Sequence, residues 1–227
     1  MKQNRNFLIL GITGGAGSGK TTIVEKLEGM APTVFLHCDV IAHELMQPGG
    51  PSYDALVKEY GTGILEEKQG TKENGATTMS PISRQKLAAV AMATGESRKR
   101  LNELTHPLVQ NAVEEELERL REEEFRGVVI IEAALLIEAG YKELCDSLWY
   151  VYAPLADRIR RMKEKRGYTE EKIANILAGQ LTEDEFRAHA DVVIENPDCT
   201  EYKTDDTVEK QIQQHLKECM EKTDKMW

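Results

Sequence analysis

The apolar positions of the chain fall into two patterns that alternate along it. Short apolar runs bounded by glycine or polar residues are typical of strands buried on both faces of a parallel sheet. Such runs are Phe7–Ile12, Val34–His37, Val128–Ile131, Leu148–Val151 and Val192–Ile194. Apolar residues at helical spacing fill the segments between these runs. The predicted helices are Thr21–Glu28, Val40–Met46, Tyr53–Tyr60, Arg84–Ala93, Arg98–Glu124, Ala156–Lys165, Glu170–Gln180 and a polar helix at about 206–222. Strands that alternate with helices predict an α/β fold with a doubly wound, five-stranded parallel sheet.

Two segments interrupt this regular pattern. Pro107 lies inside the predicted helix Arg98–Glu124 and, because it has no backbone N–H, is expected to break or kink that helix. Residues 66–78 are polar and contain glycine, which predicts a surface loop or hairpin. The sequence contains no internal repeat and no clear linker, so a single domain is predicted over residues 1–205, followed by a C-terminal helix and tail at 206–227.

Composition and charge restrict the classes of function. The chain has 227 residues, of which 41% are hydrophobic, and a formal net charge of -10. An acidic chain is not expected to bind nucleic acid or an anionic membrane non-specifically. Its four cysteines form no C-x-x-C pair, which favours reduced thiols, and the apolar run near the N-terminus is too short for a signal sequence or a membrane span. We therefore expect a soluble, cytoplasmic protein.

The stretch GITGGAGSGKTT, residues 11–22, carries the strongest chemical signal. It contains the pattern G-x-x-x-x-G-K-[ST] between a predicted strand and a predicted helix. Glycines let backbone N–H groups turn towards phosphate oxygens, and the helix N-terminus adds partial positive charge. The lysine reaches the β- and γ-phosphates, and the threonine hydroxyl is a ligand for Mg²⁺. This segment, the phosphate cradle, predicts binding of a nucleoside triphosphate with Mg²⁺. The predicted nucleotide-binding residues are Gly14, Gly15, Ala16, Gly17, Ser18, Gly19, Lys20, Thr21 and Thr22.

The cradle alone does not decide where the phosphate goes, because hydrolases and kinases share it. Asp39 directly follows the second predicted strand, and the carboxyl ends of parallel strands share one edge of the sheet with the cradle. A carboxylate at this edge can orient an acceptor hydroxyl or take its proton during phosphoryl transfer. The alternative is that Asp39 caps the helix Val40–Met46, and one residue can do both.

Two further groups of side chains are candidate metal ligands. Glu132 ends a predicted strand and is expected to hold the Mg²⁺ shell through water; otherwise it is solvated at the sheet edge. His37, Cys38, Asp39 and His43 supply four potential ligands within seven residues. Strand alternation points the first two to opposite faces, so a dedicated transition-metal site is not predicted.

The stretch DRIRRMKEKRG, residues 157–167, is basic in an otherwise acidic chain. Its cations are Arg158, Arg160, Arg161, Lys163, Lys165 and Arg166. One interpretation is a lid that closes over the triphosphate and offers guanidinium donors to the transferring phosphoryl group. The alternatives are a solvated helix face and, because the run is short and lacks interleaved aromatic residues, less favourably a nucleic-acid patch.

Several separated segments resemble the dephospho-coenzyme A kinases. They are GITGGAGSGKTT, CDVIAHELMQPGGPSYDAL, ISRQKLAAVAM with LNELTHPLV, IIEAALLIEAGY and ADVVIEN, in order over roughly residues 7–197. The resemblance implies a three-layer α/β/α P-loop kinase fold. Its sheet and cradle would occupy residues 7–40 and 126–197, a helical acceptor-binding part about 40–125, and a lid about 157–190. The implied reaction is transfer of the ATP γ-phosphate to the ribose 3′-hydroxyl of dephospho-CoA, the last step of coenzyme A synthesis.

The resemblance also implies roles for individual residues. The implied catalytic residues are Lys20, Asp39 at the acceptor hydroxyl, and Arg160 or Arg161 as the lid arginine. The implied acceptor-binding residues are Asp39, His43, Arg84, His106 and Glu138, and Asn196 would lie near the ATP base. His106 before proline is otherwise a helix-break cap, and Asn196 before proline a turn residue. Pro154 and Gln180 also match the family pattern and are interpreted as structural.

The chain departs from the usual family pattern at three positions. His37 stands where the family has aspartate, His43 where it has arginine, and Ala134 where it has proline. The change at His43 removes a permanent cation near an anionic acceptor, so it bears on the acceptor more than on phosphoryl transfer. Two alternative functions follow: a kinase of the same build acting on another nucleotide, nucleoside or related metabolite, and an ATP-binding regulator or sensor without turnover.

Overall fold

The computed structural model describes residues 5–67, 79–133, 136–137, 139–198 and 205–223. Three predictions concern residues outside these ranges. They are most of the loop at 66–78, the acceptor-binding role of Glu138, and the tail after residue 223.

Within the described ranges, five parallel strands form one sheet, as the sequence predicts. The strands are β1 (Phe7–Thr13), β2 (Thr33–His37), β3 (Gly127–Glu132), β4 (Ser147–Tyr152) and β5 (Val192–Glu195). Their order across the sheet is β2-β3-β1-β4-β5. Strands β2 and β3 therefore lie on one side of the central β1, and β4 and β5 lie on the other. Register pairs Ile12 with Glu132 and His37 with Glu132, so β1, β3 and β2 end side by side at one edge. The predicted α/β fold is confirmed.

Helices connect the strands and extend the chain beyond the sheet. They are α1 (Lys20–Glu28), α2 (Cys38–Leu45), α3 (Tyr53–Tyr60), α4 (Arg84–Ala91), α5 (Gly95–Glu122), α6 (Leu155–Arg166), α7 (Glu170–Ala178), α8 (Glu183–His189) and α9 (Asp205–Thr223). Short 3-10 turns cover Thr62–Ile64 and Tyr141–Leu144.

Of the break or kink expected at Pro107, the break was wrong, because α5 continues through that residue, and the kink stays a prediction. Proline removes one backbone hydrogen bond, and the other bonds of this 28-residue helix preserve its continuity. Helix α8 was not predicted, although its start carries a local signal. Thr182 and Glu185 form a capping box, in which each side chain accepts a hydrogen bond from the other residue's backbone N–H.

The main core lies on the sheet. All seven residues of β1 are buried, which explains why this strand reads as a continuous apolar run. Helix α9, predicted as polar, is amphipathic: Val208, Ile212, Leu216 and Cys219 are buried in the same cluster as β1 residues and Trp149. Their spacing of four, four and three places them on one helix face.

The chain divides into two compact units. The first comprises residues 1–37 and 119–227 and contains the sheet; the second comprises residues 38–118. The second unit has its own apolar cluster, with Tyr53, Leu56, Ile64, Ile82, Leu87 and Ala91 buried. Within it, an antiparallel bridge between Leu65 and Ile82 joins the two ends of the predicted loop. In the described part of the chain, none of the helices has the length and apolar character that crossing a membrane requires.

Removing a core side chain should destabilise the sheet. Ile130 in β3 is fully buried, so Ile130→Ala is expected to lower the free energy of unfolding by about 2–5 kcal/mol through lost burial and a residual cavity. Leu155→Ala is the control, because Leu155 is 53% exposed; its effect should stay within about 0.5 kcal/mol. Urea unfolding of both variants measures the difference, and equal losses would contradict the assignment of Ile130 to the core.

Candidate active site

The phosphate cradle is the loop between β1 and α1. Strand β1 ends at Thr13 and α1 begins at Lys20. Three cradle glycines have positive φ angles: 150° at Gly14, 81° at Gly17 and 93° at Gly19. Residues with a Cβ rarely adopt this conformation, so the glycines in the sequence pattern are required by the backbone itself.

Side chains from distant parts of the chain hold the cradle carbonyls. Arg158 Nε donates to the Ala16 carbonyl at 3.0 Å, and Arg161 Nη1 donates to the carbonyls of Gly17 at 3.0 Å and Ser18 at 2.9 Å. Asn196 Nδ2 also donates to the Ser18 carbonyl, at 2.8 Å.

These contacts determine where the cradle's donors point. A trans peptide is planar, so a carbonyl held on one side directs the next residue's N–H to the opposite side. The N–H groups of Gly17 and Gly19 therefore point away from the side chains that hold Ala16 and Ser18. Backbone N–H groups arranged in this way, together with a helix N-terminus, form an anion site.

The polar side chains of the cradle fit a triphosphate. Lys20 Nζ donates to the Gly14 carbonyl at 2.8 Å and so remains at the mouth of the loop. Thr21 and Thr22 are exposed in the first turn of α1. The Ser18 hydroxyl is buried and, among the described residues, has no hydrogen-bond partner. A buried hydroxyl without a partner is unfavourable, and a phosphate oxygen is a suitable acceptor for it.

The cradle packs tightly against the side chains behind it. A Cβ added to Gly15 would collide with the Arg158 guanidinium, and one added to Gly19 would collide with the Asn196 amide. At Gly19 this close contact is a second reason for glycine, in addition to the positive φ. At Gly15, which has no positive φ, it is the main reason.

Arg161 is the most extensively bonded cation of the basic stretch. Its guanidinium is buried and, besides the two cradle carbonyls, donates to the Asn196 carbonyl at 2.8 Å and to both carboxylate oxygens of Asp198, at 2.8 and 2.9 Å. Arg160, by contrast, is exposed and pairs with Asp157 and Asp198. The sequence left open which of these neighbours is the lid arginine, and their contacts differ: those of Arg161 favour bracing of the cradle. A role on the transferring phosphoryl group stays a prediction for both.

The contacts of Arg158 and Gln180 with the cradle backbone were not predicted: Arg158 was one of six cations of a possible lid over the triphosphate, and Gln180 was interpreted as structural. Gln180 Oε1 accepts hydrogen bonds from the Ala16 N–H at 3.1 Å and from Arg158 Nη2 at 2.8 Å. Burial lowers the pKa of Arg158 from its ordinary value. Asp198, the partner of Arg161, was missed as well. No local pattern specifies the contacts of these three residues, because each residue acts on a segment far away in the sequence.

The oxygen donors predicted for Mg²⁺ belong to the first unit. Thr21 is exposed at the start of α1, and Glu132 ends β3. Hydroxyl and carboxylate oxygens are the hard ligands that Mg²⁺ prefers, so these residues fit the ion. Glu132 Oε2 also lies 2.9 Å from Nδ1 of His37, whose ring stacks on Phe35. Within the described ranges, no group of three or more His, Cys, Asp or Glu side chains is placed to hold a metal ion.

The predicted acceptor-binding residues that the structure describes belong to the second unit. Asp39 is exposed in the first turn of α2, which begins at Cys38, so Asp39 lies inside the helix and is not its N-cap. His43, further along α2, is partly buried, and its Nε2 lies 3.2 Å from Nε2 of Gln47. Arg84 is exposed as the first residue of α4, and His106 is partly buried within α5. Their roles towards an acceptor stay predictions.

The unequal contacts of Arg161 and Arg160 have a measurable consequence. Arg161→Ala leaves the Asp198 carboxylate and several carbonyls short of a donor, so the free energy of unfolding should fall by about 3 kcal/mol or more. Arg160→Ala removes a solvent-exposed pair and should cost no more than about 1 kcal/mol. Chemical unfolding of the two variants tests this, and similar losses would refute the bracing role of Arg161.

Comparisons with known proteins agree with this geometry. The dephospho-CoA kinase family model matches residues 8–201. A dephospho-CoA kinase of Geobacter metallireducens is 31% identical over 216 residues, which cover 95% of this chain and 98% of that protein. A dephospho-CoA kinase of Corynebacterium glutamicum is 35% identical over 194 residues, or 84% of this chain and 91% of that protein.

Solved structures show the same architecture. The structure of TT1252 from Thermus thermophilus superposes with a TM-score of 0.72 at 26% identity, over 93% of this chain and 96% of that one. The dephospho-CoA kinase of Campylobacter jejuni superposes with a TM-score of 0.62 at 19% identity over the same shares of the two chains, a likeness of fold alone. The resemblance found in the sequence is confirmed, and the chain belongs to the dephospho-CoA kinase family.

Proposed function

We propose that this protein transfers the γ-phosphoryl group of ATP to the ribose 3′-hydroxyl of dephospho-CoA and releases coenzyme A and ADP. The observation that carries the proposal is the cradle, whose donors point away from the arginines that hold its carbonyls, in a chain whose family match spans residues 8–201. Such a cradle binds the phosphates of a nucleoside triphosphate, and membership of the family specifies the acceptor.

The cradle residues bind and orient the triphosphate. The N–H groups of Gly17 and Gly19 and the first turn of α1 donate to phosphate oxygens. Lys20 exchanges its contact with the Gly14 carbonyl for the β- and γ-phosphates. Thr21 and, through water, Glu132 would hold Mg²⁺, which supplies charge neutralisation on the phosphate oxygens when it is bound.

Asp39 orients the acceptor hydroxyl and takes its proton in this proposal. It stands two residues after His37, the last residue of β2, and β2 ends at the same sheet edge as β1, which leads into the cradle. Ligands of parallel α/β sheets bind at that edge. Asp39 is exposed, and its contribution as a general base is worth about 100- to 10,000-fold in rate.

The remaining predicted residues complete the two substrate sites. His43, Arg84 and His106, all in the second unit, bind dephospho-CoA, and the family resemblance adds Glu138 to these acceptor-binding residues. Asn196 is buried and donates to the Ser18 carbonyl, so we assign it to the ATP half of the site as a residue that holds the cradle from behind. Exposed Arg160 supplies a cation to the transferring phosphoryl group, and forked guanidinium donors suit phosphate oxygens.

An assay of both products tests the proposed reaction directly. The purified protein is incubated with ATP and Mg²⁺, with and without dephospho-CoA, while ADP and the mass of the acceptor are followed. We expect ADP to form only with dephospho-CoA and the acceptor to gain one phosphoryl group. ADP that forms only with another hydroxyl acceptor would reassign the substrate. ATP binding without any acceptor-dependent ADP would indicate a regulator or sensor.

Asp39→Asn tests the acceptor half of the mechanism. The amide keeps the shape of the side chain but cannot take a proton, so kcat should fall at least about 100-fold while ATP affinity and folding are retained. Asp54→Asn is the matched control, because Asp54 is also an exposed carboxylate in the first turn of a helix, α3. Turnover of Asp39→Asn close to that of Asp54→Asn would remove Asp39 from the mechanism.

A further inference from the structure

Arg158 and Gln180 form a closed ring of hydrogen bonds around one residue of the cradle. The Ala16 carbonyl accepts from Arg158 Nε at 3.0 Å, and the Ala16 N–H donates to Gln180 Oε1 at 3.1 Å. Arg158 Nη2 donates to the same Gln180 oxygen at 2.8 Å and closes the ring. Both polar backbone groups of Ala16 are therefore bonded to side chains more than 140 residues away in the sequence.

The ring fixes the two peptide planes that flank Ala16. The plane between Ala16 and Gly17 carries the carbonyl held by Arg158 and, on its opposite side, the Gly17 N–H. Gly17 has a φ of 81°, and glycine has little intrinsic preference among backbone conformations. External hydrogen bonds are thus needed to keep this N–H in one orientation.

The ring also connects the cradle to the segment that follows the basic helix. Arg158 lies in the first turn of α6, and Gln180 follows α7 by two residues, with its N–H donating to the Leu177 carbonyl. A displacement of the end of α7 would therefore withdraw Oε1 from both Ala16 and Arg158. In this way the position of α7 and the shape of the cradle depend on each other.

We propose that Arg158 and Gln180 are positioning residues that hold Ala16 so that the Gly17 N–H faces the triphosphate. They act through the backbone of the cradle and need not touch the nucleotide themselves. The inference rests on the ATP-binding part of the proposed function and is independent of the acceptor. Arg158 differs from Arg161, which also donates to cradle carbonyls, because Gln180 connects it to the end of α7.

The test measures ATP affinity in the presence of Mg²⁺ by calorimetry, without any acceptor. The variants are Arg158→Ala, Gln180→Ala and the double variant. Each single variant should weaken ATP binding by about tenfold, since each removes a hydrogen bond that orients the peptide. Because both residues belong to one ring, their losses should not add. The ATP affinity of the double variant should be at most about threefold lower than that of the single variant with the lower affinity.

Lys163→Ala is the matched control on the same helix. It also removes one cation from α6, but the Lys163 ammonium pairs with Glu170 on α7 and is exposed. Its ATP affinity should stay within about twofold of the wild type. Wild-type affinity in both single variants, or a double variant whose loss is the product of the two single losses, would overturn the positioning role.

Two conservative variants keep the test decisive if an alanine variant does not fold. Gln180→Met preserves length and packing but has no acceptor oxygen, so it should lose about tenfold in ATP affinity. Arg158→Lys retains the charge without the two-pronged geometry and should lose nearly as much as removal of the guanidinium. Wild-type affinity of Arg158→Lys would show that charge alone matters and would refute the ring.

The same data separate this inference from the proposed reaction. Wild-type protein that binds ATP but phosphorylates an acceptor other than dephospho-CoA would overturn only the substrate assignment, while weakened ATP binding in the ring variants would still support their role. Wild-type catalysis together with unchanged affinity in the ring variants would overturn only the positioning role. Wild-type protein that does not bind ATP would overturn both.

Discussion

The hydrogen bonds to the outward carbonyls of the cradle are the interaction on which the candidate site depends. In a phosphate site built from backbone N–H groups, the carbonyls of the same peptides point away from the phosphate. Each of these carbonyls then needs a hydrogen-bond donor. Arg158, Arg161 and Asn196 supply them for Ala16, Gly17 and Ser18. Glycine provides the allowed angles, but glycine alone does not select one conformation. The selection comes from side chains of α6 and of the segment after β5.

This requirement accounts for two of the six cations in residues 157–167, Arg158 and Arg161, which donate to cradle carbonyls. A buried guanidinium is costly unless it is paired and fully hydrogen-bonded. Arg161 meets that condition through Asp198 and three carbonyls, while Arg160 remains exposed on the same helix. Adjacent arginines therefore differ in environment: Arg161 is buried, and Arg160 is exposed and paired with Asp157 and Asp198. A role in phosphoryl transfer suits the exposed arginine, because a bracing arginine cannot leave without unpairing its partners.

The candidate functional residues of the first unit lie at one edge of the sheet, and the second unit has its own apolar core. β1, β3 and β2 end side by side, so the cradle, Glu132 and His37 share that edge. The contact between His37 and Glu132 occupies one oxygen of the carboxylate that we propose for the Mg²⁺ shell. The apolar cluster around Leu56 stabilises the helices that carry Arg84 and the predicted acceptor site.

The sequence by itself determined those features that arise from local pattern. Continuous apolar runs predicted all five strands, since both faces of the sheet are buried, and glycine spacing predicted the cradle, since its φ angles require glycine. The family resemblance identified the reaction that we propose. Tertiary structure decided which cations brace the cradle, how Gln180 and Asp198 take part, and that α5 passes through Pro107. The physical reason is that bonds such as those from Arg158 to Ala16 or from Asn196 to Ser18 join residues 142 and 178 positions apart. Periodicity and spacing contain information only about residues that are close in the sequence. Hydrogen-bond partners that lie far apart in the sequence are therefore determined by the tertiary packing.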